Sequence, residues 1–92
     1  MREIKQGSNR FYIGDSEDSI MAEITFKPTG DNVITIDHTY VAPELRGQGI
    51  AKKLLDRLVT WARTENKKII PICSYAKQQM ENNDEYHDIL YH

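Results

Sequence analysis

The sequence predicts an α+β fold: a mostly antiparallel sheet, one right-handed strand-helix-strand crossover and a helical C-terminal tail. Three observations carry that prediction. Apolar residues alternate with a period of two through residues 20–26, switch to a helical period after Pro43, and return as a short apolar run at 69–73.

The elements follow in order. Two short strands are expected around Ile4 to Gln6 and Arg10 to Gly14, separated by Gly7, Ser8 and Asn9. Ile20, Ala22, Ile24 and Phe26 alternate with Met21, Glu23 and Thr25, the pattern of a half-buried strand, which should end at Lys27. Pro28 to Asn32 are turn formers, so a strand from Val33 to Val41 should return antiparallel. On that strand His38 and Tyr40 share parity with Ile34 and Ile36, and all four are expected on one face.

Beyond Pro43, Ile50, Leu54, Leu55, Leu58 and Ala62 form the apolar stripe of an amphipathic helix, with Asn66 in the loop that ends it. Ile69 to Cys73 then reads as a strand buried on both faces and parallel to 33–41, and the helix between them crosses over right-handedly. Ser74 is a candidate N-cap for a helix through Met80, and Asp84 for a last short helix holding Tyr86 and Ile89. The main helix is expected on one face of the sheet and the tail helices near the other. Tyr86, His87, Tyr91 and His92 are either a docking helix or a frayed end.

A 92-residue chain buries roughly 60 to 70 % of its unfolded surface, enough for one core, so residues 1–92 are expected to form a single domain. Twelve Lys and Arg against 14 Asp and Glu give a net charge of −2, which denies a nucleic-acid protein its global electrostatic support. Any anion site must be local. The charged amino terminus and the lack of a membrane-length apolar run point to a cytoplasmic protein. Cys73 is the sole cysteine, which excludes an internal disulfide and suits a reduced compartment. His38, His87 and His92 show no zinc spacing with it, and no metal is expected.

The local anion site is the start of the main helix. A helix N-terminus presents unpaired N–H groups and about half a positive charge, and glycines ahead of it keep side chains out of the way. Gly47 and Gly49 stand there. First turns ordinarily favour acidic residues, yet Arg46 precedes this one and Lys52 and Lys53 lie within it, an arrangement that a phosphate would relieve. The two lysines are equally readable as a solvated helix face. A mononucleotide P-loop is excluded because its spacing and its Lys-Ser/Thr pair are missing. A dinucleotide fingerprint fails because Lys52 replaces the third glycine and a meander precedes the loop.

The pattern R-x-x-G-x-A at Arg46 to Ala51, between a strand and an amphipathic helix, resembles the acyl-coenzyme A (acyl-CoA) signature of the GNAT superfamily of N-acetyltransferases. His38 to Ala51, Pro71 to Lys77 and Glu85-Tyr86 together resemble the short, bacterial, GNAT-like family of YjdJ-type acetyltransferases, over nearly the whole chain. The resemblance implies a GNAT-type fold that binds acetyl-CoA or coenzyme A. Backbone amides of Arg46, Gly47, Gln48, Gly49, Ile50 and Ala51 would hold the pyrophosphate, with Lys52 beside them. The pantetheine would lie between the strands ending at Val41 and Cys73, and the thioester would pair with backbone at Thr39, Tyr40 and Val41, where an N–H polarises its carbonyl.

Two departures accompany the resemblance. Tyr40 stands where short relatives commonly carry Glu, and the chain stops soon after the Cys73 strand. For each candidate catalytic residue two readings stand. His38 is a satisfied, partly buried histidine or a proton acceptor for an amine. Cys73 is a small inert hydrophobe, or, just before a helix start that favours thiolate, a covalent acyl acceptor or a tunnel-lining residue. Tyr75 is ordinary aromatic packing or the acid that protonates the departing CoA thiolate. Two functions follow: acetyl transfer from acetyl-CoA to an unidentified amine, directly or through Cys73, or a CoA-binding module without turnover.

Overall fold

The computed structural model describes residues 3–91. Five strands lie side by side in chain order: β1 (Lys5–Gly7), β2 (Arg10–Gly14), β3 (Ile20–Gly30), β4 (Val33–Val41) and β5 (Lys68–Pro71). The first four pair antiparallel, and β5 runs parallel to β4 after the crossover helix α1 (Ile50–Thr64). Helix α2 (Ser74–Asn82) and a 3-10 turn at Asp84–Tyr86 form the tail. The α+β architecture is the one the apolar periods predict. Among the described residues no helix is long and apolar enough to cross a membrane.

The core is a single cluster. Phe11, Ile24, Ile34 and Ile36 of the sheet meet Leu54, Leu55 and Leu58 of α1, all seven without measurable exposure or nearly so. Burying each such side chain is worth about 1.5–3 kcal/mol, which is why the 3.6-residue stripe fixes where α1 lies. Asn66, in the left-handed region at φ 58°, closes the C-terminus of α1, with the Lys67 N–H donating to the Ala62 carbonyl at 2.8 Å.

Several expectations are corrected. β3 continues through Pro28 to Gly30, because a proline on a bulged stretch leaves no ladder donor to lose. The last apolar run is not buried on both faces: the strand ends at Pro71, Ile69 alone in it is buried, and Ile72 is 62 % exposed. Cys73 takes the N-cap position of α2 and Ser74 is its first residue; no side chain caps that helix. Asp84 is likewise inside its 3-10 turn, with Asn83 at the cap and Ile89 beyond the turn.

The tail does not cover the opposite face. Ala76, Met80, Tyr86 and Ile89 join the same core cluster as α1, so α1 and the tail lie on one side of the sheet. The end of the chain docks instead of fraying. Tyr86 is 2 % exposed, the Ile69 N–H donates to the Ile89 carbonyl, the Tyr91 N–H donates to the Ile69 carbonyl, and Leu90 bridges Ile69 on the outer edge of β5. His92 lies outside the described residues.

The parity expectation for β4 also fails, for an identifiable reason. Thr25 pairs with His38 but Phe26 pairs with Ile36, so Asp37 is an extra residue, a β-bulge. The Thr25 hydroxyl donates to Asp37 Oδ1 at 2.6 Å and Lys27 lies 3.7 Å from its other oxygen. One inserted residue exchanges the faces beyond it. Thr39 and Val41 pair with buried Ile24 and Ala22, while His38 and Tyr40 turn to the outer face and are exposed.

Candidate acyl-CoA site

A 3-10 turn at Pro43–Leu45 links β4 to the glycine loop, and Leu45 anchors it in the core. Gly47 and Gly49 adopt φ 83° and 72°, and a Cβ at either would meet no atom within 4 Å. Backbone conformation, rather than crowding, therefore demands glycine at both positions. Gly49 is the N-cap of α1; no side chain caps the helix and its first turn holds no acidic residue. The Arg46 Nε donates back to the Val41 carbonyl at 3.1 Å, which ties the loop to the end of β4. The result is an exposed helix N-terminus beside the end of β4.

β4 and β5 part immediately below this loop. Their ladder runs from Val33–Lys68 to Ile36–Pro71, and the Ile36 carbonyl then accepts from both the Ile72 and the Cys73 N–H at 3.1 Å. From Asp37 to Val41, β4 stays paired to β3 and has no ladder to β5. Across the opening, Thr39 Oγ1 and Cys73 Sγ are 3.3 Å apart, facing the core side. Sequence reasoning named Thr39 for its backbone and missed its side chain. The bulge that turns Thr39 inward is signalled only by the polar triplet Asp37-His38-Thr39 inside an isoleucine-rich strand.

The cations at the helix start have a different setting from the one their sequence suggests. Lys52 Nζ lies 3.1 Å from Asp56 Oδ2, donates to the Tyr86 hydroxyl at 2.9 Å and lies 3.5 Å from Glu85. The Tyr86 hydroxyl in turn donates to Asp56 Oδ1 at 2.5 Å. Lys52 thus has negative partners within the chain, so its position alone is no signal of a phosphate. The hydrogen bonds to Tyr86 and then Asp56 raise the Lys52 pKa, while burial, with the Asp56 hydrogen bond, pushes the Tyr86 phenol up to about 12. Lys53 is exposed and lines an open groove of about 1090 Å³ with Ile13, Gln48, Ile50 and Arg57, on a flank away from Thr39 and Cys73.

The structure therefore sets Thr39 against Cys73, ties the loop that begins at Arg46 to Val41 on the same strand, and turns His38 and Tyr40 to the outer face. Tyr75 is half-buried in the first turn of α2. Burial raises its phenol pKa, against the effect of Lys52 and with those of Asp56 and Cys73, so it is a protonated O–H donor at neutral pH.

Comparison with known proteins bears on the family and the fold. Residues 10–89 match the model of the GCN5-related N-acetyltransferase family. A GCN5-like candidate N-acetyltransferase from Staphylococcus aureus, known from a solution structure, is 53 % identical; the match covers 97 % of this chain and 87 % of that one, with a TM-score of 0.82. The GNAT-family N-acetyltransferase YhbS from Escherichia coli, crystallised with CoA, shares the fold at 16 % identity and a TM-score of 0.58, over 67 % of this chain and 38 % of that one. A GNAT-family acetyltransferase from Staphylococcus aureus does so at 21 % identity and a TM-score of 0.57, over 67 % and 40 %. No curated protein matches the sequence. With its sheet order, its crossover and a family match over most of its length, the chain belongs to the GCN5-related N-acetyltransferase family.

Proposed function

We propose that the chain is a single domain that binds acetyl-CoA and transfers its acetyl group to an amine, in the cytoplasm. The observation that carries this reading is the opening between β4 and β5. A strand edge, Asp37 to Val41, is left without a ladder to β5 just where it leads to an uncapped helix N-terminus. Pantetheine is an extended chain with two amides and can add to such an edge as a further strand, with its pyrophosphate on the Gly47 to Ala51 amides.

The thioester then lies beside Thr39 to Val41 and Cys73. A backbone N–H of this stretch polarises the thioester carbonyl and stabilises the oxyanion that forms when the amine nitrogen attacks the carbonyl carbon. The C–S bond breaks, the Tyr75 hydroxyl supplies a proton to the CoA sulfur, and the proton lost by the amine passes to water, since His38, turned to the outer face, is not beside the thioester. In the covalent variant the Cys73 thiolate makes the first attack, and the amine then displaces it from the S-acetyl intermediate.

Isothermal titration tests the binding. Wild type should take up one acetyl-CoA, and Gly49→Glu, which points a negative side chain at the phosphates, should abolish binding. A residue other than glycine at φ 72° costs about 1–2 kcal/mol, so the unfolding midpoint is measured alongside. Unchanged affinity in a folded Gly49→Glu variant would sink the assignment. Intact mass after incubation with acetyl-CoA tests the covalent variant: a gain of one acetyl, absent in Cys73→Ala.

A further inference from the structure

We infer that the acyl donor extends beyond acetyl, to linear acyl chains of roughly four to eight carbons, and that Ile72 and Tyr40 form the surface on which the chain lies. This rests on the proposed acyl-CoA site and specifies its substrate.

The two faces of the opening differ. On the core side Thr39 Oγ1 and Cys73 Sγ meet at 3.3 Å, Cys73 packs against the core, and Ile36, whose carbonyl accepts the Cys73 N–H, is wholly buried. A filled core leaves a long acyl chain little room in that direction. On the outer face the same opening is unroofed. Ile72 precedes Cys73 and is 62 % exposed; Tyr40 follows Thr39 and is 38 % exposed.

Register and exposure put both side chains away from the core. Tyr40 pairs with Glu23, in the row opposite to that of buried Ile24, and Ile72, just past the end of β5, is open to solvent while its neighbour Cys73 packs against the core. Among the described residues there are three exposed large hydrophobic side chains, Tyr40, Ile72 and Tyr91. Two of the three therefore flank one opening, on one face, on the two strands that diverge there. An isoleucine with most of its surface in water gains nothing for the fold; a hydrocarbon chain tethered at the thioester would cover it.

The occupant is set by geometry. A thioester lying beside Thr39 and Cys73 would send its chain away from the filled core, along Tyr40 and Ile72. Partial burial of four additional methylenes on such a surface amounts to about a tenfold gain in affinity.

The test is a titration of the intact protein with acetyl-CoA, hexanoyl-CoA and free CoA. Hexanoyl-CoA is expected to bind about tenfold more tightly than acetyl-CoA. Ile72→Asp, at an exposed position outside the core, should remove that gain and leave acetyl-CoA affinity unchanged; Tyr40→Ala should remove part of it. Acetyl-CoA binding with hexanoyl-CoA equal or weaker overturns the chain-length inference alone. A gain that survives both substitutions overturns the assignment to this surface. Failure of both thioesters to bind overturns the acyl-CoA reading and this inference with it.

Discussion

The two halves of β4 make opposite use of the same strand. Val33 to Ile36 is paired on both edges, to β3 and to β5, and supplies Ile34 and Ile36 to the core. Asp37 to Val41 is paired to β3 alone, carries the bulge, and turns Thr39 toward Cys73. The tail braces the first half: Ile89 and Leu90 engage Ile69, the partner of Ile34, while Tyr86 pins α1 through Asp56 and Lys52. On the proposed function, stability and chemistry are thus separated along one strand, and the dividing point is a single extra residue.

Substitutions can break that division or sharpen it. The largest effect is expected at Ile36→Ala, which leaves a void in the doubly paired half and should cost about 2–5 kcal/mol in urea denaturation. Next comes the brace. The Tyr86 phenol, raised to about 12 from 10.0, holds its proton more tightly in the folded state, so its stabilisation is fully present below pH 10 and disappears as pH rises toward 12. Tyr86→Phe should cost about 2 kcal/mol at neutral pH and lack that alkaline phase, which unfolding measured at neutral pH and at about pH 11 will reveal.

Smaller again is Thr25→Val, which removes the hydroxyl held by Asp37. A loss of about 1 kcal/mol is expected, with amide shift changes concentrated at His38 and Thr39 as the bulge loosens. Thr39→Ala should cost under about 0.5 kcal/mol, since its hydroxyl meets only a thiol. A Thr39→Ala loss as large as that of Ile36→Ala would abolish the proposed separation.

Much of this was legible in the sequence where hydrophobic burial decides the outcome. The stripe from Ile50 to Ala62 and the alternation from Ala22 to Phe26 each satisfy one period without interruption, and both occupy their predicted faces. The glycine loop was legible because positive φ leaves a signature in residue type. What escaped prediction depends on partners distant in the chain. The bulge is a property of the β3–β4 register, hinted at in β4 only by the polar triplet Asp37-His38-Thr39, and it reverses His38 and Tyr40. The Lys52 cluster takes Asp56 from its own helix and adds Glu85 and Tyr86 from the tail, 33 and 34 positions away, so the charge at the helix start is answered partly from a distance. Ser74 and Asp84 failed as caps because each entered its helix by one residue, a shift of the size that local propensity does not resolve.

The bridge at Leu90 has a consequence for solubility. A parallel edge strand with open N–H and C=O groups is a template for pairing with another molecule. Here Ile69, the buried apolar residue of β5, has its outer N–H and C=O taken by Ile89 and Tyr91, and Pro71 offers no donor further along. On the far side β1 is only three residues long. Both outer margins of the sheet are thus short or covered, and the open edge that is left is the recessed stretch from Asp37 to Val41.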